Sequence, residues 1–135
     1  MSVKLLEKAL RLNPDDEQLV YELSIISPDP QYTVNLILNN KHTRDDVITE
    51  LARAYNQLGE YDKALETLLS HTFVACEGGE HAIADQYMFA HHAKGRELMA
   101  KGDYAAAVHE FRAALVLPQS LGAGIWNEVK YVPHQ

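Results

Sequence analysis

The densest group of side chains able to do chemistry lies between His71 and His92: Cys76, Glu77, Glu80, His81, Asp85 and the adjacent pair His91 and His92. His81 and Asp85 have the i, i+4 spacing at which two residues on one helix face can ligate a single ion, and Glu77 and Glu80 lie close by. Support for a metal stops there. The chain has no HExxH and no second pair at ligand spacing. His91 and His92, as neighbours, point about 100° apart on a helix and do not readily share an ion. Cys76 beside Glu77, with His71 and His81 near in sequence, has the composition of a nucleophile with a base. Nothing in the spacing fixes their geometry. Gly122 to Gly124 is not a phosphate loop, because no strand precedes it and no GK[ST] follows. The reading is therefore of no catalytic residue, no cofactor and no metal centre, and of a chain that is not an enzyme.

What positions these residues is legible in Leu51 to Ser70, LARAYNQLGEYDKALETLLS. With Asp45 as position 1 of a 34-residue unit, Leu51 falls at position 7, Ala52 at 8, Tyr55 at 11, Gly59 at 15, Tyr61 at 17, Ala64 at 20 and Leu68 at 24. Small residues at 8 and 20 let two helices approach closely, the aromatics fill the wedge beside their crossing, and Gly59 lets the chain leave the first helix with positive φ. This resembles the tetratricopeptide repeat. A second copy in KGDYAAAVHEFRAALVLP carries Gly102 at 15, Tyr104 at 17, Ala107 at 20, Phe111 at 24 and Ala114 at 27, with Gly95 as the small residue at 8. His91 and Lys94 stand at positions 4 and 7, where a large apolar pair is usual. The two turn glycines are 43 residues apart, so nine residues are inserted. A single long helix from about His81 to Ala100 accommodates them, with Gly78-Gly79 as the preceding turn and Glu80 near its positive end.

Ser2 to Asn13 reads as the second helix of a repeat whose first helix is absent, ended by Pro14, which suggests a piece cut from a larger protein. Asp15 or Asp16 caps a helix to about Ile26. Ser27-Pro28-Asp29-Pro30 replaces the usual glycine turn, and Asp29 as cap with Pro30 at the first helical position starts a short helix to Leu38, closed by Asn39 and Asn40. This unit is about six residues short of the repeat length, so its hairpin is expected to be tighter or rotated. Thr43 is the expected cap of a helix from Arg44 to Leu58, with Asp46 as a capping-box echo, and the following helix runs from Tyr61 to about His71. After Pro118 repeat character is lost, and Trp126, Val129 and Tyr131 are expected to fold back as a makeshift end cap. The fold expected is an all-α, right-handed superhelix of about three tetratricopeptide-like hairpins, truncated at both ends. Residues 1–118 form the repeat domain, and 119–135 an irregular tail or the start of a further repeat.

Composition narrows the function. The chain has 135 residues and a formal net charge of −7. That excess sits between residues 45 and 80, which hold two basic against eight acidic side chains. Nucleic-acid binding needs clustered Lys and Arg and is disfavoured. One cysteine excludes an intrachain disulfide. No apolar run reaches bilayer length and no signal segment opens the chain, so no membrane association is expected and cytoplasmic residence is the default.

Binding is expected on the concave side of the repeats. Position 9 is Arg53 in the central unit and Arg96 in the last, and the first-helix residues Asn56 and His92 are read as lining the same surface. The two arginines would make a cationic patch able to take a carboxylate of an acidic or carboxy-terminal peptide in bidentate fashion. The rival reading pairs Arg53 with Glu50 and Arg96 with Asp103. The lysine and asparagine clamp of chaperone-binding tetratricopeptide proteins has no counterpart, since Thr49 and Arg53 occupy its positions.

From His71 to Gly124 the chain resembles a narrower family, through Glu77-Gly78-Gly79-Glu80, Gly95-Arg96-Glu97, Gly102-Asp103-Tyr104, Phe111, Pro118, Leu121-Gly122 and Gly124. It is similar to the carboxy-terminal helical-repeat region of large bacterial proteins whose amino-terminal part is a galactose-mutarotase-like, glycosidase-associated domain of unknown function. It departs at Cys76, where that family tends to have Trp, and at His81, where it tends to have Gly. The resemblance implies a carbohydrate-metabolism setting. Two functions follow as expectations: a protein-interaction or intramolecular scaffolding module, or a helical accessory domain of a carbohydrate-processing enzyme. Apolar faces at Leu5, Leu6, Ala9, Leu115 and Trp126 add an expectation of self-association.

Overall fold

The computed structural model describes residues 2–74 and 79–121. Among them are seven α-helices and no strand: α1 (Val3–Leu12), α2 (Glu17–Ile26), α3 (Pro30–Leu38), α4 (Asp45–Gln57), α5 (Tyr61–Leu69), α6 (Gly79–Ala100) and α7 (Tyr104–Ala113), followed by a 3-10 turn at Gln119–Leu121. Each helix packs on the next, and α4 also packs on α2 and on α6. The result is two layers, with α2, α4 and α6 forming one and α1, α3, α5 and α7 the other. The hairpins α2–α3, α4–α5 and α6–α7 are the three repeat units, and α1 stands before them, packed on α2. The fold is an all-α array of helical hairpins.

Local chemistry explains most helix starts. The Asp16 carboxylate accepts from the Gln18 N–H at 3.0 Å, Asp29 does the same for Gln31 at 3.0 Å with Pro30 at the first helical position, and Asp103 accepts from Ala106 at 3.2 Å. Each side chain satisfies a donor that the helix itself leaves unpaired. Gly59 and Gly102 leave α4 and α6 at φ +79 and +83, a region where a Cβ is strained. The small residues do what their spacing predicts, since Ala52 and Ala64 are both fully buried at the crossing of α4 and α5.

The start of α4 corrects the sequence reading. Thr43 does not cap it, and Arg44, the residue at the cap position, makes no side-chain cap bond. Instead Glu17 reaches across from the first turn of α2. Its carboxylate accepts from the Thr43 N–H at 2.6 Å, the Thr43 hydroxyl at 2.5 Å and the Arg44 N–H at 2.8 Å. Asp46, read as part of a capping box, is held by the Arg44 guanidinium instead. The short first hairpin is thereby clamped to the second by a carboxylate bridge rather than by a full-length helix: α2 has ten residues where α4 has thirteen.

The inserted residues lengthen α6, which has 22 residues against thirteen in α4. It starts two residues before the expected His81. The Gly78 turn, Cys76, Glu77 and the side chains of Glu80 and His81 lie outside the described residues, as do Gly122, Gly124 and the supposed end cap of Trp126, Val129 and Tyr131. No helix among the described residues is long and apolar enough to cross a membrane.

Two apolar clusters make the core. One joins Leu6 and Leu10 of α1 to Val20, Leu23, Val34, Ile37, Val47 and Leu51. The other joins α4, α5 and α6 and takes in Leu117 and Leu121 from the chain beyond α7. Of the apolar residues expected at the open ends, Leu6 is buried against its neighbours while Leu5 and Leu115 are exposed.

Candidate peptide-binding groove

Residues 45, 49 and 53 are four apart, so they share one face of α4. That face looks into a groove of about 610 Å³. Tyr21 of α2 forms one wall and Ala82 and Ile83 of α6 the other, with Thr49, Glu50 and Arg53 between them and Thr43 to Asp46 and Val74 closing one end. Arg53 also borders a second depression beside Ser24, Ile25, Ser27 and Thr33. Its side chain is 41 % exposed, which leaves it accessible from the groove.

The charges here are compensated in pairs. Arg44 grips Asp46 through two bonds, Nε to Oδ1 at 3.1 Å and Nη2 to Oδ2 at 2.6 Å, and this pairing raises the guanidinium pKa further. Arg53 Nε meets Glu50 Oε2 at 3.2 Å. Asp45 takes the His71 ring at 2.7 Å on one oxygen and the Val74 N–H at 3.1 Å on the other, so it fastens the chain after α5 to the start of α4. The expected cationic patch is therefore absent at Arg53. Asp45, Asp46 and Glu50 share its helix face, and three carboxylates accompany the two guanidiniums of the groove. The Arg53 Nη groups make no hydrogen bond to a described residue and stay able to take a carboxylate.

The four residues grouped by sequence are not all brought together. Asn56 is 5 % exposed and lies between α4 and α6, where its amide donates to the Gln86 carbonyl at 3.1 Å and to Gln86 Oε1 at 3.0 Å. It joins two repeats and does not face solvent. Its Oδ1 is buried without a hydrogen-bond partner among the described residues. Truncation to Ala removes both donors, so Asn56→Ala is expected to destabilise the fold by about 1–2 kcal/mol while a groove ligand keeps its affinity, as paired denaturation and binding titrations would show. An unchanged denaturation midpoint would refute the joining role. His92 is half-buried with its ring 6.1 Å from that of Phe111, turned toward α7. Arg96 is exposed on α6, has no ionic partner among the described residues and does not line this groove. Its suggested partner Asp103 caps α7 instead.

The departures at His91 and Lys94 have a physical account. His91 Nδ1 lies 2.7 Å from Glu110 Oε1, and Lys94 Nζ lies 2.7 Å from Asp62 and 3.6 Å from Glu110 Oε2. An ionic link between α5, α6 and α7 thus stands where apolar packing is usual. Burial works against the Lys94 charge, but Asp62 and Glu110 outweigh it and its pKa is raised. Among the described residues no group of three or more His, Cys, Asp or Glu side chains is placed to hold a metal ion.

Sequence reasoning missed Tyr21, Arg44 and Val74. Asp45 and Thr49 were within reach, since both lie on the Arg53 face at helical spacing.

A family model of the tetratricopeptide repeat matches the chain twice, at residues 46–70 and 90–118. The two matches support a tetratricopeptide-repeat protein and together cover less than half of the chain. The first match covers nearly all of α4 and α5, and the second covers the carboxy-terminal half of α6 with α7. The α2–α3 hairpin lies outside both matches, yet it packs on the first matched hairpin as a further unit of the same stack. No solved structure matches the chain.

Proposed function

We propose that this chain is a non-catalytic interaction module that holds a peptide segment of another protein or domain in the groove between α2, α4 and α6. Tetratricopeptide repeats mediate protein–protein interaction or scaffolding in general, and repeat stacks present their concave surface for that purpose. The observation that carries the reading is the groove itself. It has apolar walls at Tyr21, Ala82 and Ile83, a polar floor at Thr49, and an accessible Arg53 whose Nη groups are uncommitted among the described residues. Arg96, further along α6, supplies a second cationic contact to a longer segment. The resemblance of the second half to the helical-repeat region of large bacterial proteins supports a bacterial setting. In that reading the bound segment belongs to an adjoining domain of carbohydrate metabolism.

Peptides selected from a displayed random library on the whole chain test this. Arg53→Glu is expected to weaken the selected peptides at least about tenfold, the effect of losing and reversing one charge-assisted contact. An exposed pair with Glu50 contributes only about 0–1 kcal/mol, so folding should be nearly intact. Equal affinities for both proteins would place binding elsewhere.

A further inference from the structure

The furrow between α2 and α4 continues past Arg53. α2 stops at Ile26 after ten residues where α4 has thirteen, and the last turn of α4 borders a depression of about 350 Å³ where the short hairpin turns away. That volume is at the low end of the range for small-ligand sites, ~300–1,000 Å³. Ser24 of α2, Thr33 of α3 and Ala54 and Gln57 of α4 line it. Glu50 and Arg53 line both this depression and the groove, so their ion pair is a sill between two compartments.

The polar groups of the depression are unequally spent. Thr33 is 5 % exposed, and its hydroxyl makes no hydrogen bond to a described residue. Nor is that hydroxyl sealed in, since Asn56 Oδ1 is the one sealed and unpartnered side-chain polar atom among the described residues. A buried hydroxyl left unpaired costs free energy, which an occupant of the cavity recovers by supplying the partner. Ser24, equally buried, gives its proton to the Tyr21 carbonyl at 2.6 Å and keeps only lone pairs to offer. Glu50 meets Arg53 through Oε2 at 3.2 Å, which leaves Oε1 as a second acceptor. The donors facing them are the Thr33 hydroxyl and the Arg53 Nη groups, and the exposed Gln57 amide at the rim serves either role.

This set sorts the occupants. A carboxylate meets Glu50 as a like charge and has no proton for Ser24; an ammonium meets Arg53 and has no acceptor for Thr33. A carboxamide has both halves, N–H groups for Ser24 and Glu50 and an oxygen for Thr33 and Arg53. From Glu50 to Ala54 is about 6 Å along α4, close to the ~6.6 Å that two residues of an extended chain span, and alternate side chains of such a chain point the same way. Building on the groove reading, we infer that the depression is a second subsite of the same peptide site and takes an Asn or Gln side chain of the bound segment, two residues from the apolar side chain held between Tyr21 and Ile83.

Peptides selected from the displayed library on the whole chain are expected to carry Asn or Gln two residues from an apolar position. No preference there, or a preference for an acidic or basic residue, would overturn the inference. Thr33→Val removes the hydroxyl at nearly constant size. It should weaken such a peptide about fivefold, the worth of one hydrogen bond, and leave the same peptide with Ala at the carboxamide position unaffected, whereas Thr33→Ser should bind both as the unaltered chain does. The denaturation midpoint of Thr33→Val should be no lower than that of the unaltered chain, because the hydroxyl holds no described residue. A lower midpoint, or equal losses for the two peptides, would mean a structural role and refute the subsite. If Arg53→Glu weakens the selected peptides while Thr33→Val does not, the groove binds peptide and only the subsite is wrong. If Arg53→Glu has no effect, the groove reading itself fails.

Discussion

Glu17→Ala is expected to lower the stability of the fold by about 2–3 kcal/mol, although Glu17 lies in an α2–α3 unit that neither tetratricopeptide match covers. Glu17 is 7 % exposed and its carboxylate serves three donors at the start of α4. Hydrogen bonds to a charged group contribute about 1.5–3 kcal/mol each but do not add, and the donors of exposed Thr43 recover part of the loss from water. Glu17→Gln keeps the shape and one acceptor, so about 1 kcal/mol is expected there. Burial alone would raise the Glu17 pKa, but the Thr43 hydroxyl, the Arg44 and Thr43 N–H groups and Lys41 outweigh it and hold it below the ordinary 4.5. A carboxyl depressed on folding stabilises the fold above its unfolded value and loses that contribution as pH falls through the folded value. The stability gap between the native chain and Glu17→Gln should therefore be full at neutral pH and shrink as pH drops below 4.5. Denaturant titrations across that range measure it, and a gap independent of pH would refute the bridge.

Gly95→Leu is expected to cost about 3 kcal/mol. A Cβ at position 95 would lie 2.5 Å from Phe111 Cε1 and 2.8 Å from both Cδ1 and Cζ, well inside contact distance. Removing a helical glycine would otherwise stabilise by about 1 kcal/mol. Overpacking costs about 1–3 kcal/mol, so Gly95→Ala should come out roughly 1 kcal/mol less stable and the larger leucine further down. Phe111→Leu in the Gly95→Ala background opens the space and should recover most of the alanine loss. Thermal melts of the four proteins decide it: a stabilised Gly95→Ala would mean that α6 and α7 separate freely at this crossing.

The three hairpins were readable in the sequence because most of their determinants are local. Gly59 and Gly102, the small residues at each crossing and the Asp16, Asp29 and Asp103 caps act within a few residues of themselves. Thr43 failed as a cap because the group that organises α4 comes from 26 residues away, and no spacing rule within α4 announces it. The candidate site divides the same way. Arg53 was legible from its repeat position, whereas its neutralisation depends on Glu50 and on the acidic first turn that shares its face. Asn56, three residues on, turns toward Gln86 and is consumed in joining α4 to α6, which its polarity alone does not reveal. His91 and Lys94 looked like faults in the repeat. With Asp62 and Glu110 across from them, they are an ionic version of the same contact.

The length of α6 changes how the molecule holds together. In a stack of equal repeats each unit meets only its neighbours, and an end unit can open without disturbing the rest. Here one uninterrupted helix carries Ile83, Ala84 and Tyr87 into the cluster shared with α4 and α5, and Gly95 into the crossing with α7. The turn at Gln119–Leu121 closes the loop by returning to α5 and α6. Fraying the last hairpin thus strains the same backbone that seals the previous one, so α4 to α7 behave as one cooperative unit. The wall of the groove formed by Ala82 and Ile83 inherits the rigidity of that unit.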